Sequence, residues 1–313
     1  MVATGLSKAP VHISMLMTMA DEGGSNKVIR DEFGLLPTSG IRQAIVALSK
    51  DKTVLRKLFT YRYHQGGVGL DGMTFGNLFM AAMADITGSQ KNGIEETCKL
   101  LHVKGDIIPI SYDNVRLVAK YENGSKVIGE HKIDIHTGSK IANLATSPKA
   151  KLNPEAKKAI QEADLIIIGP GDFYTNTVAN LVVEDLVSGL KSAKGKILFV
   201  TNIMNSPTET PDYRLSHFFI DLKKYMPLDI IDYVFVNNNF NFPNKALKAY
   251  EKEKARPIED DLEVGHIQPK VKIIRTDLLS EKVPKREKGD KLSRSMIRHD
   301  ADKLAEEIMK IVG

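Results

Sequence analysis

Ala163-Asp164-Leu165-Ile166-Ile167-Ile168-Gly169-Pro170-Gly171-Asp172-Phe173-Tyr174-Thr175-Asn176-Thr177 decides the fold. Leu165 to Ile168 are apolar without alternation, which predicts a strand covered on both faces, as in a parallel sheet flanked by helices. Gly169-Pro170-Gly171 then forces a turn at the carboxyl end of that strand. Beyond it Asp172, Thr175, Asn176 and Thr177 offer small polar side chains, and a helix is expected to start near Thr175. Free backbone N–H groups at such a start suit an anionic ligand, although an ordinary strand-to-helix turn has the same look.

The same grammar recurs on either side. Val11 to Met19 reads as a buried strand emptying into Ala20-Asp21-Glu22-Gly23-Gly24-Ser25-Asn26. Asp21 and Glu22 are suited to holding a metal, bonding ribose hydroxyls or taking a proton, and equally to a solvated turn. Lys196 to Thr201 and Tyr233 to Asn237 are further strands, ending in Asn202-Ile203-Met204-Asn205 with Glu209-Thr210, and in Asn237-Asn238-Asn239. Helices are expected at Asn153-Pro154-Glu155 onward, with Asn as cap and Pro in the first turn, at Val178 to Leu190 and at Tyr213 to Tyr225. Strand ends rich in Gly, Asn, Thr and acids, alternating with helices, describe an α/β, Rossmann-like, doubly wound and mostly parallel sheet with one ligand-bearing edge.

Upstream, Thr38 or Ser39 caps a helix through Ile41, Ile45 and Leu48. Further helices are expected over 53–62 and 74–87, joined by a flexible Gly66-Gly67-Val68-Gly69 link. Asn77 sits just inside the second, facing either a ligand or the core. From Val103 the pattern turns to period two: Val115, Leu117 and Ala119 alternate with polar neighbours, Glu122 to Ser125 turns, and Lys126 to Ile135 returns. We read a small antiparallel β insert around 103–145, with His131 and His136 on opposite faces of a strand. The whole, 1–313, reads as a single α/β nucleotide-binding domain closed by a C-terminal helix at 300–312.

Lys and Arg number 44 against 39 acids, a formal net charge of +5, with no dense basic run and no aromatic interleaving, so nucleic-acid binding is not expected. The segment Lys282 to Lys288 reads as a solvated loop. The one cysteine, Cys98, excludes an internal disulfide and suits a reducing compartment. His102, four residues on, shares its helix face, a packing pair in the absence of an activating environment. His217 reads as a helix-surface residue. No apolar run matches a membrane span and no signal peptide opens the chain, so a cytoplasmic protein is expected.

Ala20-Asp21-Glu22-Gly23-Gly24-Ser25, Gly76-Asn77-Leu78, Gly169-Pro170-Gly171-Asp172-Phe173-Tyr174-Thr175, Asn202-Ile203-Met204 with Glu209-Thr210, and Arg298-His299-Asp300 occur in one order. Together they resemble the gluconeogenesis factor family of the 2-phospho-L-lactate transferase superfamily, from about Val11 to the C-terminus. The resemblance implies a cytoplasmic protein that binds a uridine-diphosphate sugar of the UDP-N-acetylglucosamine type and links central carbon metabolism to cell-wall synthesis and cell shape. In the related transferases the framework moves a phospholactyl group from a nucleotide diphosphate carrier to a deazaflavin, with Mg²⁺. The transferase is thus the alternative function.

By the same resemblance, Gly169, Gly171, Thr175 and Asn176 form a diphosphate cradle beside Asp172. Asp21, Gly23, Gly24 and Asn202 flank nucleoside and sugar, Asn77 is a ligand-binding candidate, and Tyr250 and Arg298 contribute to the nucleotide-sugar site. No cofactor is firmly implied; Mg²⁺ belongs to the alternative, with Asp21 and Glu22 as its weak candidates, and a homo-oligomer is left open. The chain departs from the family in three places. A strand and a Gly-rich loop normally precede the Ala20 motif, where only Ala3-Thr4-Gly5-Leu6 stands, leaving no room for a full helix and suggesting a truncated start or a lost first βα unit. The usual Asp-Asp is Asp21-Glu22, and Gly-Asp-Ile-Arg is Ser39-Gly40-Ile41-Arg42. Gly72-Met73-Thr74 lacks the usual histidine.

Overall fold

The structure, a computed structural model, describes residues 1–50, 54–282 and 295–313. Residue 53, and positions 283–288 of the basic segment, lie outside the described residues. The chain begins with α1 (Val2–Leu6) and β1 (Ser14–Met17), then α2 (Ser25–Phe33), α3 (Ser39–Leu48), α4 (Val54–Thr60), α5 (Gly67–Leu70), α6 (Phe75–Ile86) and α7 (Gln90–Leu100). β2 (Asp106–Pro109), β3 (Arg116–Tyr121), β4 (Lys126–Ile128), α8 (Glu130–Asp134) and β5 (Ile141–Ser147) follow. The remainder is α9 (Pro154–Glu162), β6 (Leu165–Ile168), a π-helical turn Phe173–Val178, α10 (Ala179–Leu181), α11 (Leu186–Ser192), β7 (Lys196–Val200), α12 (Leu215–Leu222), β8 (Tyr233–Asn237), α13 (Asn244–Lys252), β9 (Lys272–Thr276) and α14 (Ala301–Val312).

The strands form a parallel four-stranded sheet in the order β6-β7-β8-β9, a parallel pair β1-β2, and an antiparallel sheet β4-β3-β5. This is the α/β, Rossmann-like architecture read from the Leu165 run. Ile166 and Ile168 pack with Ile197, Phe199, Val234 and Val236 into the largest core, shared with α9 to α12 and the antiparallel sheet. Leu165 and Ile167 turn to the opposite core, where Leu198, Val200 and Phe235 meet Leu304, Ala305 and Ile308 of α14. Period-two burial on two apolar faces is why a strand here has no polar positions. A third core gathers α3, α4, α6 and α7 beneath β1 and β2.

Several elements differ from expectation. β2 pairs parallel with β1 from Ser14↔Asp106 to Met17↔Pro109, so 103–110 belongs with β1, and the antiparallel sheet runs from Arg116 to Ser147 rather than over 103–145. The return strand stops at Ile128: Gly129 takes φ 105°, and Glu130 to Asp134 is helical. His131 and His136 are therefore not on one strand; His136 lies against the Tyr121 ring, centroids 4.2 Å apart. The Val178 to Leu190 helix is broken, because Asp185 adopts φ 70° between α10 and α11. Gly67 begins a short helix rather than a link. His102, at φ 48°, lies beyond the end of α7 and so off the Cys98 face. The start of the chain forms a five-residue helix, α1, whose Gly5 faces the Ala301 carbonyl so closely that a Cβ would not fit.

Candidate functional site

Three loops leave the carboxyl ends of β1, β6 and β7. After β6, Gly169 takes φ +80°, and a Cβ there would stand 2.7 Å from the Val200 carbonyl oxygen, so the turn can press against β7 only as glycine. Gly171 offers its carbonyl to Asn202 Nδ2 at 2.9 Å, which ties the β6 and β7 loops together. Asn176 donates to Asp172 Oδ2 at 2.9 Å, and both are exposed. After β1, the Gly23 N–H donates to Asp21 Oδ1 at 2.8 Å, and Gly24, at φ +49°, opens α2.

Thr175 is not an open anion cradle. Glu209, 1% exposed, accepts the Tyr174 N–H at 2.7 Å and the Thr175 hydroxyl at 2.5 Å, and lies 3.4 Å from the Thr175 N–H. An internal carboxylate from the β7 loop thus already occupies the donors at the start of the π-turn. Burial first, then the neighbouring Asp172, pushes the Glu209 carboxyl up to about 7. The sequence had marked Glu209-Thr210 only as part of a motif.

Two further acids come from α8 and were not foreseen, since the segment read as a strand. Glu130 Oε2 accepts the Glu22 N–H at 3.4 Å, and burial followed by Asp21 pushes its carboxyl up to about 8. Asp134 and Asp172 are also raised, both chiefly by desolvation although both lie at the exposed rim; Asp134 next adds to the shift at Asp172, whereas His131 partly offsets the shift at Asp134. Asp21, Glu130, Asp134, Asp172 and Glu209 therefore share one field. Glu22 is drawn out of it: Arg30 Nη1 lies 2.9 Å and Arg116 Nε 3.1 Å from its carboxylate. Tyr121 faces the same field, with its buried hydroxyl unpartnered and its phenol pushed up to about 12 by burial and then Glu209.

The other predicted residues make hydrogen bonds outside these three loops. Asn77 is fully buried; it donates to Ser39 Oγ at 3.1 Å and accepts from Arg42 Nε at 3.1 Å, a core contact. Tyr250 is buried, its hydroxyl accepting the Met296 N–H at 3.0 Å, in a small cluster with Ile203 and Ile297. Arg298 is half-buried and donates to the Ser295 carbonyl from Nη2 at 2.7 Å. His217 accepts the Arg214 N–H at 3.0 Å and caps α12. Burial, then Asp106, pushes the Cys98 thiol up to about 12, far from a thiolate nucleophile. Among the described residues no group of three or more His, Cys, Asp or Glu side chains is placed to hold a metal ion.

A sequence model of the 2-phospho-L-lactate transferase CofD family matches residues 1–279. The chain belongs to the CofD family. Relatives within it that carry the gluconeogenesis factor name include a protein of Aquifex aeolicus, 37% identical over 304 residues covering 96% of this chain and 88% of that one. Another is the gluconeogenesis factor of Bacillus subtilis, 34% identical, covering 96% and 90%. A crystal structure of a Bacillus halodurans protein superposes with a TM-score of 0.89 at 32% identity, covering 98% of this chain and 94% of that one. Among the described residues of this CofD-family chain, no helix is long and apolar enough to cross a membrane.

Proposed function

We propose that the chain binds a nucleotide sugar of the UDP-N-acetylglucosamine type at the ends of β1, β6 and β7. We read it as a cytoplasmic regulator, linking central carbon metabolism to cell-wall synthesis and cell shape rather than catalysing a reaction. The observation that carries this reading is the tie between Asn202 and the Gly171 carbonyl. It fixes two glycine- and amide-rich loops side by side at the edge where open α/β sheets take nucleotides, and the Glu130 carboxyl feels both Asp21 of the β1 loop and Glu209 of the β7 loop. Gly169, Gly171, Asp172 and Asn176 supply the rim after β6, with Thr175 and Glu209 behind them; Asp21 and Asn202 flank the sugar. Tyr250 and Arg298 support the neighbouring C-terminal segment.

The acidic field favours a second reading, a phospholactate-type transferase. Carboxylates beside a diphosphate call for protons or a divalent cation. Among the described residues no three such side chains converge on one point, so Mg²⁺ would be held by one or two carboxylates together with the ligand's phosphates.

Thermal-shift titration with UDP-N-acetylglucosamine, UDP-glucose, UDP and GDP, each with and without Mg²⁺, separates the two. A ligand that binds only the folded state adds about 2.7 kcal/mol at a hundred times its dissociation constant. We expect a UDP-sugar-selective shift without Mg²⁺, reduced in Arg298→Ala. A response only to nucleotide plus Mg²⁺ moves the reading to the transferase, and a flat response to all of them rejects both.

A further inference from the structure

Helices α2, α3 and α6 begin at one polar node. Asn26, in the first turn of α2, accepts the Thr38 and Ser39 N–H groups through Oδ1 at 3.1 and 3.0 Å, capping α3 from outside. Asn77, in the first turn of α6, donates to Ser39 Oγ and accepts from Arg42 Nε. The helices run 9, 10 and 12 residues, and none receives a bond from the side chain of its own N-cap residue. Three positive helix ends and a guanidinium thus meet within a chain of hydrogen bonds.

The node has unspent hydrogen-bonding capacity. Thr38 and Thr74, the N-caps of α3 and α6, are each 1% exposed, as is Asn26. Thr38 Oγ1, Thr74 Oγ1 and Asn26 Nδ2 have no partner. Buried polar atoms are seldom left so, and here they are two hydroxyls and an amide N–H₂, groups able to donate. Asn77 does not balance them: its oxygen accepts from Arg42 Nε and from none of the three. Surplus donors in a positive field match a ligand with several acceptor oxygens and a negative charge. Gly24 is exposed, and Ser25, Ser39 and Gly40 are half-buried, so the rim of the node reaches solvent.

We propose that this node seats a phosphate-type anion through Asn26 Nδ2, Thr38 Oγ1 and Thr74 Oγ1, with the three helix ends and Arg42 supplying the field. The identity of that anion as the diphosphate of a nucleotide rests on the reading under Proposed function; the anion chemistry does not. The node and the π-turn divide the work: donors at Tyr174 and Thr175 are spent on Glu209, whereas those at Thr38, Thr74 and Asn26 are not.

Thr38→Val and Thr74→Val test this in the full chain. Valine is close in shape, and removing a hydroxyl that has no partner leaves the free protein at least as stable. Inorganic phosphate, pyrophosphate and UDP-N-acetylglucosamine are titrated by thermal shift and by phosphorus NMR. We expect each variant to melt at or above the wild type without anion, and to bind phosphate and pyrophosphate about tenfold or more weakly. UDP-sugar affinity falls in parallel. A phosphate response equal in wild type and both variants, or absent from the wild type, overturns the node. Phosphate binding lost in both variants while UDP-sugar binding is unchanged upholds the node as an anion seat and overturns only its identification with the nucleotide diphosphate. A phosphate response confined to the wild type, with no UDP-sugar binding, upholds the node and rejects that reading.

Discussion

Glu209 shows how one side chain changes the meaning of a loop. Its motif was visible in the sequence, but its partners were not, because Tyr174 and Thr175 lie 35 and 34 residues away in the chain. Its raised carboxyl has a sign that can be checked. A carboxyl whose value rises on folding from 4.5 to about 7 binds more protons in the native state over that window. Its contribution to stability is therefore complete below 4.5 and lost as pH rises through about 7. Glu209→Gln keeps the shape without the titration. In urea melts from pH 4.5 to 8, the variant should gain on the wild type up to about pH 7 and then run parallel to it. A constant difference across the range would mean the carboxyl is not raised. Asn77 and Tyr250 teach the complementary lesson: motif membership named them, while burial and bonding place them in support of other segments.

Element boundaries followed local chemistry where that chemistry was strong. Asn153 accepts the Glu155 N–H at 3.0 Å with Pro in the first turn, as the tripeptide predicts. The Leu165 run and the strand Tyr233 to Asn237 were legible because apolar runs bounded by turns have few alternatives. α8 was not, because Lys126 to Ile135 carries an alternation that Gly129 interrupts with φ 105°, and only tertiary contact fixes where pairing stops. β9 and the β1-β2 pairing were missed since parallel partners are set by packing across long separations. At this scale Gly169→Ala is the informative change. Gly169 and Gly124 both have positive φ, but only Gly169 faces a backbone atom, the Val200 oxygen. Gly124→Ala should cost about 1 kcal/mol and Gly169→Ala about 2–3 kcal/mol by denaturant titration, with the excess assigned to the clash.

Across the whole molecule, the two faces of the parallel sheet were implied by the unalternated apolar runs, but the site was legible only in part. Strand-end loops announce themselves through Gly and Asn; the acids that enter from α8 do not, because an antiparallel sheet must first carry that helix over the sheet edge. The phenols of Tyr174 and Tyr213 both donate to Asp221 Oδ2, the first at 2.6 Å, and Lys224 Nζ holds Oδ1 at 2.6 Å. Burial first, and each other or Asp221 next, raises both phenols above their ordinary range. This knot joins the π-turn after β6 to α12, deep in the largest core. The chain contains 9 tyrosines and no tryptophan, so its ultraviolet emission comes from phenols alone. Two of these are held against a carboxylate, an arrangement that quenches the excited ring by drawing off its proton. Unfolding releases them, and emission near the tyrosine maximum should rise in step with loss of helical circular dichroism. The protein thus carries its own optical reporter of core integrity, which Asp221→Asn, with its weaker acceptor, should leave brighter in the folded state.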